Sequence, residues 1–103
     1  MKDIPVVLFS GTNDWIVYPQ VMVDVQTQLR SFVDVTKTTV KFDTAAAHVW
    51  SLDNGECSCG ACGERTARVQ CCDVNNCNYD LSGVMLSKWY GDLKPRGTAL
   101  FEY

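Results

Sequence analysis

Pro5-Val6-Val7-Leu8-Phe9-Ser10-Gly11-Thr12-Asn13-Asp14-Trp15 is the stretch that decides the fold. Its first half is apolar, β-branched and aromatic, the composition of a short buried strand. Residues 10 to 15 then turn the chain and present a carboxylate, Asp14. Working outward, apolar residues recur at Met22, Val25, Leu29 and Phe32, three and four apart. That spacing predicts a helix beginning at Pro19, a residue suited to a first helical turn. Gln20, Gln26, Gln28 and Arg30 are expected on its solvent side. A second strand-like run follows, Thr38-Thr39-Val40-Lys41-Phe42. Strand, helix, strand is a right-handed crossover that makes the two strands parallel, so the fold class is α/β. Parallel strands need neighbours and cover on both faces, so the unit is expected to dock beside further strands or to be part of an incomplete domain.

In an open α/β sheet, residues just past the carboxyl ends of parallel strands share one edge, where sites form. Asp14 follows the first strand, and the only histidine, His48, follows the second. A carboxylate beside an imidazole is two thirds of a Ser-His-acid triad: the acid fixes the tautomer of the ring, and the ring takes a proton from a hydroxyl. Asp24, Asp34 and Asp43 compete less well for the acid, two being expected on or at the end of a helix and one closing a strand. Alone, Asp14 would read as an Asx-type turn former, and Ser10 as a strand-end hydrogen bonder. Trp15 and Trp50 flank the two candidates and are candidate groove-lining residues, or else core-edge aromatics.

After Val49-Trp50-Ser51-Leu52 the chain enters a polar loop, residues 53–77, that holds all six cysteines: Cys57, Cys59, Cys62, Cys71, Cys72 and Cys77. A loop of this length in a compact domain calls for cross-links or a function. Six cysteines in so short a stretch point to disulfides or to a thiolate zinc site. The last helix is expected from about Asp80 to Tyr90. Asn78 or Asp80 would cap it, Leu81, Val84, Met85 and Trp89 would form its stripe, and Gly91 would end it. A turn with Pro95 and Gly97 opens the tail, which is expected to close as a short extended segment.

The 103 residues carry a net charge of −3, so no nucleic-acid partner is implied, and no apolar run is long enough to span a membrane. The length allows one domain, and residues 1–103 are read as a single partial domain. Residues 1–9 show no leader-like h-region. Secreted-type cysteines without a leader suggest that a signal peptide lies outside this sequence.

Phe9-Ser10-Gly11-Thr12-Asn13-Asp14-Trp15-Ile16-Val17-Tyr18-Pro19 resembles the acid loop of extracellular poly(3-hydroxybutyrate) depolymerases, α/β-hydrolase esterases related to feruloyl and acetylxylan esterases. His48-Val49-Trp50 is similar to their catalytic-histidine segment. Asn76-Cys77-Asn78-Tyr79-Asp80-Leu81-Ser82-Gly83 and Trp89-Tyr90-Gly91-Asp92-Leu93-Lys94-Pro95-Arg96 resemble their last helix and its exit. The resemblance covers nearly the whole chain in order. It implies the C-terminal portion of an α/β-hydrolase sheet: strand, helix, strand, Cys-rich loop and final helix. It further implies Asp14 as triad acid and His48 as base, an extracellular setting, a polyester or small ester substrate, and no cofactor or metal. The remainder of the catalytic domain would then be the partner.

The departures are equally specific. None of Ser10, Ser31, Ser51, Ser58, Ser82 and Ser87 lies in a Gly-x-Ser-x-Gly elbow, so the nucleophile is expected outside these residues. Ser51 stands where the family commonly has proline, and the cysteine cluster is richer than the family pattern. The extracellular resemblance favours disulfides over zinc and suggests that Cys77 pairs with Cys57 or Cys62. The competing reading is a non-catalytic cysteine-rich binding module.

Overall fold

A computed structural model describes residues 2–53, 60–64 and 73–97. The predicted first strand is β1 (Val6–Gly11), and the crossover helix is α1 (Pro19–Leu29). A short 3-10 turn (Val35–Lys37), capped by the Asp34 carboxylate on the Thr36 amide, leads into β2 (Thr38–Thr44). β1 and β2 pair in parallel, Val6 opposite Thr38 through Phe9 opposite Lys41. The partners then advance from Phe9 to Gly11 on one strand and from Lys41 to Thr44 on the other. The extra residue on β2 is a bulge, a device that re-aims a strand end.

α1 packs on β1 through half-buried Met22, Val25 and Leu29. It stops at Leu29, three residues short of the expected stripe, and Phe32 is 63% exposed. Gln26, placed on the solvent side by its polarity, is half-buried because it shares the stripe's face with Met22 and Leu29.

The long loop is less irregular than its composition predicts. Trp50–Leu52 forms β3, Val74–Asn76 forms β4, and the two pair in parallel as a second small sheet. Cys62 and Cys77 form a disulfide across this region, which closes one of the two pairings left open for Cys77. Cys57, Cys59, Cys71 and Cys72 lie outside the described residues, as does the expected extended end of the tail.

α2 (Leu81–Tyr90) begins at Asp80, whose carboxylate accepts the Gly83 amide at 2.9 Å, and ends at Gly91 with φ +79°. It packs on β3 and buries Leu81. Trp89, expected in the buried stripe, is 47% exposed, although its indole N–H donates to the Pro5 carbonyl at 3.3 Å. The two sheets meet where Phe9 stacks on Tyr79, centroids 5.9 Å apart, with the Lys41 ammonium 5.2 Å from the Tyr79 ring. Arg96 pins the tail to Asp53 at 2.9 Å and to Asp80 at 2.8 Å. Among the described residues, no helix is long and apolar enough to cross a membrane.

Candidate functional site

The turn after β1 is built on its own side chains. The Asp14 amide donates to the Gly11 carbonyl, and Asp14 Oδ1 accepts the amides of Ile16 and Val17, both at 2.9 Å. That is the Asx-type turn the residue type predicts. Gly11 is required here, because a Cβ at this position would collide with the carbonyl oxygen of Ala46. The close approach seats the turn against residues 44–47. The Thr12 amide donates to the Thr44 carbonyl at 2.8 Å, and the Asn13 amide to that of Ala46 at 3.1 Å.

The same approach brings His48 over Asp14. Nδ1 of the ring lies 3.0 Å from Asp14 Oδ2. The acid is the buried partner, its side chain 10% exposed against 47% for the histidine. Burial pushes the Asp14 carboxyl up. The hydrogen bond from His48 and the Val17 and Ile16 amides outweigh that, and hold it below the ordinary value of 3.8. A carboxylate accepting from Nδ1 leaves Nε2 as the ring's free base, and among the described residues Nε2 has no partner.

Both groups line an open cleft of about 400 Å³, walled by Phe9, Ser10, Gly11, Ala47, Val49, Trp50 and Asp73. Trp50 is a wall of it, its indole N–H held at 2.9 Å by the Ser82 hydroxyl at the start of α2. Trp15 is 48% exposed and is not among the lining residues. Ser10 is 4% exposed, and its hydroxyl makes no hydrogen bond among the described residues, contrary to the strand-end bonding its position suggests. So enclosed a hydroxyl has no access to an ester carbonyl, although it lies in the wall beside His48. A wider groove of about 980 Å³ runs along α2 and the tail, but the sole histidine lies elsewhere. The other acids have their own partners: Asp24 accepts from Gln20, Asp34 caps the 3-10 turn, and Asp43 pairs with Lys41. Among the described residues, no group of three or more His, Cys, Asp or Glu side chains is placed to hold a metal ion.

Sequence reasoning missed Asn75. Its side chain is fully buried, and its Oδ1 accepts the amides of both Ala47 and Gly63 at 3.1 Å. It is the middle residue of the three-residue β4, and no local signal marks it for a structural task.

An α/β chain with a carboxylate and an imidazole paired past the ends of two parallel strands has the architecture of one edge of an α/β-hydrolase sheet. No family model matches it. The chain is 35% identical over 99 residues to a poly(3-hydroxybutyrate) depolymerase of Delftia acidovorans, covering 96% of this chain and 19% of that protein. It is 30% identical over 91 residues to a polyhydroxybutyrate depolymerase of Talaromyces funiculosus, covering 88% of this chain and 26% of the other. The crystal structure of PHB depolymerase from Penicillium funiculosum superposes with a TM-score of 0.77 at 29% identity, over 91% of this chain and 28% of that one. A PHB depolymerase complexed with an R3HB trimer matches to the same extent. In sequence and in fold, then, the chain resembles the poly(3-hydroxybutyrate) depolymerases, and it spans about a fifth to a quarter of the length of the curated relatives it matches.

Proposed function

We propose that this chain supplies the acid and the base of a serine esterase of the poly(3-hydroxybutyrate) depolymerase kind, with the nucleophilic serine outside these residues. Asp14 Oδ2 accepts the Nδ1 proton of His48. That fixes the tautomer and steadies the imidazolium that forms when Nε2 takes the serine proton. His48 then returns the proton to the departing alcohol, and water removes the acyl group from the serine by the same route. The chemistry needs neither a metal nor an organic cofactor. A polyester of hydroxyalkanoate units is the substrate class, by similarity to relatives named for it, and secretion is the compartment that fits the Cys62–Cys77 disulfide. Residues 1–103 are then a partial domain whose other part carries the serine.

The observation that supports this reading is the 3.0 Å contact between a half-buried carboxylate and a more exposed imidazole in an open cleft. Two assays test it. The purified 103-residue chain is expected to hydrolyse a short-chain ester no faster than background, and robust turnover lost on His48→Ala would overturn the placement of the nucleophile elsewhere. The full translation product, defined by reading the transcript upstream of Met1, is expected to be an esterase. In it, His48→Ala is expected to lower kcat by a factor on the order of 10⁴ or more. A product that turns over esters equally well without His48 would overturn the reading.

A further inference from the structure

We infer that Asn75 is a positioning residue for the Asp14–His48 pair, acting through Gly63. The inference rests on the acid–base reading of those two residues. Asn75 adjoins neither of them in sequence. Its carboxamide oxygen accepts the Ala47 amide, one residue before His48, from 28 positions away. The same oxygen accepts the Gly63 amide. Two N–H donors aimed at one atom require that atom to be the oxygen, and Nδ2 accordingly donates to the Val74 carbonyl at 3.2 Å. On its other side, the Gly63 carbonyl accepts Asn13 Nδ2 at 3.0 Å, one residue before Asp14.

These bonds close a ring. It runs from Asp14 to His48 through their contact, along the peptide to Ala47, and across Asn75 Oδ1 to Gly63. From the Gly63 carbonyl it returns through Asn13 to Asp14. Each half of the pair is thereby anchored, one residue away, to the same glycine. Gly63 itself has φ +82°, and a Cβ there would stand 2.7 Å from the Ala45 carbonyl oxygen and 2.8 Å from Asn13 Nδ2. The neighbouring Cys62 is tied to Cys77, two residues beyond Asn75, so the disulfide holds the glycine against the carboxamide. A buried amide satisfied on both ends resists displacement, because moving it would leave buried N–H and C=O partners unpaired. The ring therefore sets the spacing of acid and base, although neither Asn75 nor Gly63 touches a reacting atom.

His48 is the only histidine, so its ring gives one set of signals in a proton–nitrogen correlation spectrum of the whole chain. In mildly alkaline solution the wild type is expected to carry its proton on Nδ1, and Asp14→Ala to lose that preference. Asn75→Ala is expected to move the ring toward the Asp14→Ala pattern while the backbone amide spectrum stays folded. Asn13→Ala changes a half-buried loop position and is expected to shift it in the same direction by less. It decides the matter if Asn75→Ala does not fold. Folded variants that keep the wild-type tautomer would overturn the positioning role and leave the acid–base reading standing. A wild type already matching Asp14→Ala would overturn both.

Discussion

The carboxylate of Asp14 divides its two oxygens between two tasks. Oδ1 shapes the turn through the Ile16 and Val17 amides, and Oδ2 holds Nδ1 of His48. On sequence alone Asp14 reads either as a turn former or as the partner of His48; in the structure one carboxylate makes both sets of contacts, because the lone pairs of an ionised carboxylate suffice for three donors. A consequence for stability follows from the sign of its shift. Asp14 titrates below the 3.8 of an unfolded aspartate. Its contribution is therefore fully present above roughly pH 5 and is lost as the pH falls through its depressed folded-state value. Urea unfolding of wild type and Asp14→Asn checks this. The gap between the two is expected to be widest at neutral pH and to close in acid. Asp34 and Asp43, also held below the ordinary range, are common to both proteins and cancel in the difference. A gap that stays constant down to the acid limit would mean that the carboxylate stabilises nothing.

Among the elements, those with strong local signals were legible and those held by distant contacts were not. β1, α1 and β2 follow from an apolar run, a three-and-four spacing and a second run. α2 follows from a cap and a terminal glycine. β3 and β4 have three residues each, shorter than any period-two pattern that can be recognised, and they exist because each pairs with the other across the cysteine loop. Asn75 reads locally as one more turn-forming asparagine. Its role is set by partners 28 and 12 positions away, which no local pattern encodes. Asp80 is the opposite case, a cap readable from residue type, yet it too has a second partner in Arg96. Two substitutions separate the parts. Asp80→Asn keeps a capping oxygen and is expected to shift the urea midpoint little, because Arg96 offers its half of the ion pair to solvent. Asp80→Ala also leaves the Gly83 amide without its acceptor and is expected to cost about 1 kcal/mol more, read as a shift in the urea midpoint. Equal losses for the two variants would assign the stability to Arg96 instead of the cap.

At the scale of the whole molecule, little apolar surface is sealed. The buried hydrophobic residues among those described are Leu8, Val33, Ala46, Ala47 and Leu81, while Ile16, Val21, Phe32, Leu86 and Trp89 are exposed. Exposed apolar side chains on both helices are what a piece of a larger α/β sandwich would show, and a core this small leaves much of the stability to cross-links. The Cys62–Cys77 disulfide joins residues 15 apart, and a loop of that size restricts the unfolded chain by about 3 kcal/mol. Against a total of roughly 5–15 kcal/mol for ordinary domains, that share is large. The double variant Cys62→Ala/Cys77→Ala is therefore expected to melt lower by on the order of 10–20 °C, and to bind more of an apolar dye in the folded baseline than the parent does. The same bond holds Gly63 against Asn75, so the His48 ring in this variant is expected to drift toward the Asp14→Ala pattern at temperatures where the backbone remains ordered. A double variant that melts reversibly, as a monomer and at the parent's temperature, would show that packing alone sustains the fold. The disulfide would then be an ornament of the loop, and the exposed helix faces would need an explanation other than a partner part of the domain.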